Sequence, residues 1–434
     1  STMRRRRNRY LLHVLWRELF GLADLDETLA SLTKLADRML AAAVRAAERL
    51  LEPRYGVARD AAGNRVPLVV LGMGKLGGGE LNFSSDIDLI FLYPEDGETD
   101  GARRLSAHEY FGRLVRHVIA LLDERTADGF VFRVDTRLRP FGDSGPPVVS
   151  FAGLESYLLH HGRDWERYAY IKARVVGPDP GDAVVEDLYD NLIRPFVYRR
   201  YIDYGVFQSL REMHALISAE VQKRELQDNV KLGPGGIREA EFIVQSLQLV
   251  RGGSEPHLQV RELQRALPLL VSARGLAETD AQQLGAAYRF MRRLENFIQA
   301  SGDQQTHDLP HDDIGRSRLC LAMGYEDWSD LSVDIDNHLA LIAGQFEKVA
   351  FRGEADDVPL ASRVEQAWED TPDPETWATL FAEAGIRDPD KLAGILVRFA
   401  DEAVTRQIDA VSRERLQQFI PRLVMEISHT DRPR

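Results

Sequence analysis

The chain has 434 residues, 44% of them hydrophobic and 28% charged, with a formal net charge of −13. That length predicts about two to four folded units, and the acidic balance excludes a nonspecific nucleic-acid binder, which needs a basic surface. One cysteine, Cys320, excludes an internal disulfide framework. No apolar run approaches the roughly 20 residues of a membrane span and no signal peptide is visible, so the expected setting is the cytoplasm, with no membrane partner.

In chain order, Arg4 to Arg7 read as the exposed polar start of a first helix, with an anionic-partner patch as the alternative. Residues 8–52 are helical by period, with Leu12, Leu15 and Leu19 on one apolar face. Leu32, Ala36, Met39, Ala43 and Leu50 form another face beyond a break at Asp24 to Glu27. Pro53 and the stretch from Gly56 to Asn64 predict a loop.

The stretch that organises the chain follows. Leu68 to Leu71 form an apolar strand, Gly72-Met73-Gly74-Lys75-Leu76-Gly77-Gly78-Gly79 a glycine-rich turn, and Ile87 to Phe91 a second strand opened by Asp86 and Asp88. Residues two apart on a strand leave the same face, so the two carboxylates point together while Ile87, Leu89 and Phe91 enter a core. Paired carboxylates repel and call for a divalent cation. The glycines let backbone amides approach an anion closely. The combination points to phosphoryl or nucleotidyl transfer. Gly72 to Gly77 also fits the dinucleotide fingerprint G-x-G-x-x-G, but the second strand arrives too early for the crossover helix which that fold requires. A plain glycine turn with solvated aspartates is the remaining alternative.

After a turn at Pro94 to Gly97, residues 106–123 are helical, with Phe111, Leu114, Val118 and Leu121 in phase. Gly129 to Asp135 reads as a third strand; if it continues, Asp135, Arg137 and Arg139 share a face suited to a metal and phosphate oxygens. An ordinary Asp–Arg surface pair is the competing reading. Residues 150–176 predict two short helices, the second carrying Lys172 and Arg174, with Trp165 and Tyr168 as packing residues. From about 180 the pattern is helical, with apolar stripes Val206/Leu210/Met213/Ile217/Val221 and Leu284/Ala287/Met291/Leu294/Ile298. Lys231 to Phe242 is a glycine-rich loop entering a helix, a second candidate anion site. Asp334-Ile335-Asp336 lies on a helix, where its carboxylates diverge, and His307 and His311 flank Pro310 and read as ordinary loop residues. An acidic linker at 353–359 precedes a last helical segment with Leu416, Ile420, Leu423 and Ile427 in phase.

The glycine loop with Ser85-Asp86-Ile87-Asp88, Val134 to Pro140, Trp165 to Tyr168, Lys172-Ala173-Arg174 and Lys231 to Phe242 together resemble the DNA polymerase β-like nucleotidyltransferases. More narrowly they resemble the bifunctional glutamine synthetase adenylyltransferase/adenylyl-removing family. Asn82 to Asp88, Arg163 to Tyr168 and Arg199 to Asp203 are similar to its N-terminal, adenylyl-removing half, since the adding half usually has Gly before the first Asp. Gly79 stands where that family often has a basic residue. The resemblance implies an α+β fold: a helical segment at 1–64, a nucleotidyltransferase domain with a small sheet at 65–178, a helical bundle at 179–352 and a helical connector at 353–434. It further implies Asp86, Asp88 and Asp135 as catalytic residues and ligands of one or two Mg²⁺ or Mn²⁺. Phosphate or nucleotide contacts are implied for Gly74, Lys75, Gly77, Gly78, Ser84 and Ser85. Arg137, Arg139, Lys172, Arg174, Lys231 and Arg238 are further candidates. The implied reaction is phosphorolytic removal of AMP from a glutamine synthetase tyrosine. Inorganic phosphate is consumed, ADP is released, a PII-type signal protein regulates, and an adenylylating half follows in the same polypeptide. The alternatives are ATP-dependent adenylylation and a noncatalytic nucleotide-sensing half.

Overall fold

A computed structural model describes residues 2–198 and 228–350, with parts of 364–424. The chain divides into two units, Ser1–Phe346 and Glu347–Arg434. The class is α+β, as the sequence predicts.

Helices α1 (Thr2–Leu19) and α2 (Leu25–Tyr55) open the first unit. The inward face of α1 is not the leucine face: Leu12 and Leu19 are exposed, whereas Arg4, Arg7, Val14 and Glu18 are buried. Nor is Arg4 to Arg7 simply a solvated start. Arg4 donates through Nε to the Gly129 carbonyl at 2.9 Å, and Arg7 grips Asp303 at 2.6 and 2.9 Å while stacking over Phe130. Backbone carbonyls and a carboxylate waiting under the helix make arginine the residue that can be buried there. On α2, capped by Asp24, Leu32, Ala36 and Ala43 are buried as expected, while Leu50 is exposed. Pro53 lies inside the last turn, and the helix ends only at Gly56, whose φ of +71° breaks the helical course.

The sheet is small and buried on both faces. Strand β2 (Val69–Gly72) pairs antiparallel with β3 (Ile87–Tyr93) and with β7 (Arg174–Val176). Two short parallel strands, β5 (Val134–Asp135) and β6 (Val149–Ser150), pair with the start and end of β3. The antiparallel β2–β3 pairing rules out the dinucleotide fold. Separately, Ala58–Arg59 (β1) and Glu98–Thr99 (β4) form a two-stranded ribbon.

Val70, Leu89 and Phe91 pack beneath α2 and α4 (Ala107–Asp123), while Val69, Leu71, Ile90 and Leu92 meet α5 (Phe151–His161) and α6 (Asp164–Tyr170). Helix α4 begins with a capping box between Ser106 and Glu109. The third strand is much shorter than predicted because Val131 and Phe132 donate their amides to the Leu122 carbonyl, at the end of α4, instead of to a strand. Arg174 lies on β7, not on a helix, since α6 stops at Tyr170. Tyr168 packs against Phe242 as expected, but Trp165 is exposed.

A helical run follows as α7 (Asp182–Asp187), a π turn and α8 (Arg194–Val197). The stripe from Val206 to Val221, the Arg199 to Asp203 segment and the acidic linker lie outside the described residues. Among the described residues this unit continues with the α-helices α9 (Ile237–Arg251), α10 (Leu263–Ser272), α11 (Glu278–Ala300) and α12 (Asp313–Met323), with α13 (Trp328–Ala350) continuing past Phe346. The α11 stripe Leu284, Ala287, Met291, Leu294 and Ile298 is buried throughout. The second unit packs α14 (Pro374–Glu383) on α15 (Pro389–Thr405) around Trp377, Phe381 and Ala393. Of its predicted C-terminal stripe only Leu423 is described, and it is exposed.

Burial drives the Glu18 carboxyl up to about 7, opposed by the amide of Asn296, which donates to it at 3.0 Å. A carboxyl raised in the folded state favours folding most when protonated, so its contribution is full below about 4.5 and is lost as pH rises towards 7. Glu18→Gln is therefore expected to raise the thermal midpoint at pH 8 and leave it little changed at pH 4.5. Equal shifts at both pH values would contradict the burial.

Candidate active site

Asp88 sits directly opposite Asp135 in the parallel β3–β5 register, and Asp86 precedes the strand by one residue. Ligand oxygens of the three carboxylates lie within 4.8 Å of one another. Gly74, at φ +52°, approaches so closely that a Cβ there would stand 2.8 Å from Asp88 Oδ2, so the glycine loop must lack a side chain at this point. Burial and the charges of Asp86 and Asp135 push Asp88 up to about 7, with Lys231 and Arg137 opposing. At Asp135 burial also raises the carboxyl, but hydrogen bonds from Arg137 outweigh it and hold it below the ordinary range. A hard oxygen-only donor set in mutual repulsion fits Mg²⁺ or Mn²⁺. The cluster opens on a cleft of about 340 Å³ bordered by Asp86, Arg133, Asp135, Arg137, Asp143 and Gln305.

The glycine run folds into a single short helical turn, α3 (Gly74–Gly77). Gly77 and Gly78 already donate their amides to the carbonyls of Met73 and Gly74. The orphan donors of this turn are its first amides, at Gly74 to Leu76. Ser84 and Ser85 are buried beside it, with Ser84 Oγ accepting from Arg133 at 2.9 Å.

The predicted cations sort into distinct groups. Arg137 folds back on Asp135, its Nη2 2.5 Å from Oδ2, with its side chain 74% exposed; this is the Asp–Arg pair, formed at the edge of the cluster. Because the strand ends at Asp135, Arg139 does not share its face and instead bonds Thr136, at 2.9 Å and 2.6 Å. Lys172 is buried between Glu241 at 2.6 Å and Glu80 at 3.3 Å. Arg174 pairs with Asp37 and donates to the Leu76 and Gly77 carbonyls, fastening the end of α3. Arg238, in the first turn of α9, lies beside Tyr168. Lys231, half-buried in the second glycine-rich loop, comes near enough to act on the charges of Asp88, Lys75 and His307.

Lys75 leads to residues that the sequence did not single out. Its Nζ lies 2.5 Å from Glu295 on α11. Glu295 also meets His307 at 2.9 Å, Arg292 at 3.3 Å and the Asn82 amide at 2.6 Å. Arg292 donates to Asn82 Oδ1 at 2.6 Å and to the Glu80 carbonyl at 2.5 Å. His307 is thus no ordinary loop residue, whereas His311 is exposed. Burial lowers Lys75 to about 7 against the pull of Glu295. Glu295 stays well below the carboxylate range because Lys75, His307 and Arg292 outweigh its own burial. The legible signal was a second stripe on α11, where Arg292, Glu295, Asn296 and Gln299 recur at helical spacing and all are fully buried.

Residues 1–187 match the family model described as glutamate-ammonia ligase adenylyltransferase, and residues 211–350 the one described as GlnD PII-uridylyltransferase. The chain is 46% identical to the bifunctional glutamine synthetase adenylyltransferase/adenylyl-removing enzyme of Thioalkalivibrio sulfidiphilus, over 96% of the chain and 44% of that protein. Proteins of the same name from Xanthomonas axonopodis and Nitrosococcus oceani are each 44% identical, over 100% and 99% of the chain and 45% of each relative. The chain belongs to this family. It spans less than half the length of these relatives.

Glu295→Gln leaves Lys75 and Arg292 buried with one counter-charge fewer. Breaking such a network is expected to destabilise by about 3–5 kcal/mol in urea unfolding. The double variant Lys75→Met/Glu295→Gln should recover part of that loss. A neutral Glu295→Gln would show that the pair is not formed.

Proposed function

We propose that this chain is the adenylyl-removing half of the enzyme. It would take AMP from a modified tyrosine of glutamine synthetase by phosphorolysis and release ADP. What carries the reading is the intact set Asp86, Asp88 and Asp135, with Lys231 near enough for its charge to act on Asp88 and with no hydrogen-bond or ion-pair partner for the Lys231 ammonium among the described residues. The run Asn82 to Asp88, with Ser rather than Gly before Asp86, adds the preference for removal over addition.

Asp86, Asp88 and Asp135 would hold one or two Mg²⁺ or Mn²⁺ ions, which when bound draw charge from the phosphorus and the leaving oxygen. Lys231 is assigned to the attacking phosphate, with Arg238 as a further contact. Arg137 can swing from Asp135 to a phosphate oxygen, since its guanidinium is exposed. The Gly74 to Leu76 amides, with Ser85, line the path of the adenylyl phosphate, next to Gly77 and Gly78, while Lys75, paired with Glu295, braces that turn. Lys172, Arg174 and Arg139, each bound to protein groups, hold the loops rather than the substrate. The departing tyrosinate has a reference pKa of about 10, low enough to leave without a dedicated acid.

The chain's share of its relatives fits one of two catalytic halves, the adenylylating half being the remainder. The match of residues 211–350 to a PII-uridylyltransferase model supports the helical region as the place where a PII-type signal protein acts. A cytoplasmic setting fits these partners; no described helix is long and apolar enough to cross a membrane.

The assay incubates adenylylated glutamine synthetase with the chain and Mg²⁺, with and without phosphate, and identifies the nucleotide released. ADP appearing only with phosphate, and falling by several orders of magnitude in Asp88→Asn, is expected. AMP without phosphate would mean hydrolysis. Labelling of unmodified glutamine synthetase by ATP would assign the chain to the adding reaction, and no turnover in any arm would make it a noncatalytic sensor.

A further inference from the structure

The arginine-rich start of α1 is only half explained by its buried members. Arg4 and Arg7 are buried, but Arg6 and Arg9 are exposed and, with His13, line one wall of a groove of about 680 Å³. Arg38 and Arg45 of α2 line the other wall. The spacings match: Arg6 to His13 and Arg38 to Arg45 each span seven residues, about 10 Å of helix at ~1.5 Å per residue. Met3, Tyr10, Leu35, Met39 and Ala42 form an apolar floor.

Two features set this groove apart on a chain of net charge −13. Among the described residues no carboxylate lines it, and none of its four arginines has a hydrogen bond or an ion pair. The acids on the same stretch of α2 are turned elsewhere, Asp37 to Arg174 and Glu48 to Arg65. Four exposed guanidinium groups around one groove, with no counter-charge among them, give it a positive potential that favours a ligand bearing several negative charges.

We propose that this groove binds a nucleotide carrying two or more phosphates, at a site separate from the carboxylate cluster. The phosphates would lie between Arg6 and Arg9 on one side and Arg38 and Arg45 on the other, with the base against Tyr10 and Met39. The volume lies in the range of small-molecule sites. An extended acidic protein surface fits less well, because it would also meet the net negative charge of the rest of the chain. A small ligand seated in the groove feels mainly charges within a Debye length of about 8 Å.

The test is calorimetry on the full chain carrying Asp86→Asn/Asp88→Asn, in EDTA, which silences the carboxylate cluster whatever its reaction. ADP is expected to bind with one-to-one stoichiometry, more tightly than inorganic pyrophosphate, and more weakly as salt rises. Adding Arg9→Glu/Arg38→Glu, both on exposed side chains, should weaken ADP at least tenfold while the thermal midpoint stays unchanged. Unaltered ADP binding in that variant would overturn the site. Equal binding of ADP and pyrophosphate would overturn the nucleotide assignment, as would binding of an acidic peptide with no binding of ADP.

Discussion

Charge buried between the sheet domain and the helices behind it is the constraint on which this structure depends. Glu80, Lys172, Glu241, Arg292, Glu295 and Lys75 form a continuous set of ion pairs with little or no access to water. Each partner would be prohibitively costly to bury alone, so none can be withdrawn without exposing the rest. Hydrophobic packing gives the two layers their affinity, and the network matches each buried charge to a partner on the other layer or beside it.

That arrangement builds a site from two directions. The sheet supplies the carboxylates, through the β3–β5 register, and the close approach of Gly74. The helical region supplies Glu295 to anchor Lys75 and the loop that carries Lys231. Val230 donates its amide to the His307 carbonyl, Asn229 donates to Asp308, and the His307 ring and Lys75 both meet Glu295, so the two glycine-rich loops are tied to one carboxylate on α11.

The parts legible in sequence were those that depend on local spacing. Two carboxylates two apart on a strand must diverge from Leu89 and Phe91, whatever surrounds them. The stripe from Leu284 to Ile298 must be buried because water penalises it. What stayed hidden depended on partners remote in the chain. Arg4 and Arg7 could be buried only because Gly129 and Asp303 meet them. Glu295 looks like a solvated helix residue until Lys75, 220 positions away, comes to face it. The third strand shrank because the end of α4 captured its amides. Of the basic candidates, Lys172 and Arg174 were recognised as residues of the region, but their carboxylate partners could not be read from periodicity.

The central claim is that metal-binding carboxylates from the sheet and a cation from the helical region converge on one phosphate site. Anomalous diffraction from crystals grown with Mn²⁺ and ADP tests it most directly. Manganese bound by Asp86, Asp88 and Asp135, with a phosphate oxygen within hydrogen-bonding distance of Lys231, is the predicted result. Manganese elsewhere, or phosphates held without Lys231, would contradict it.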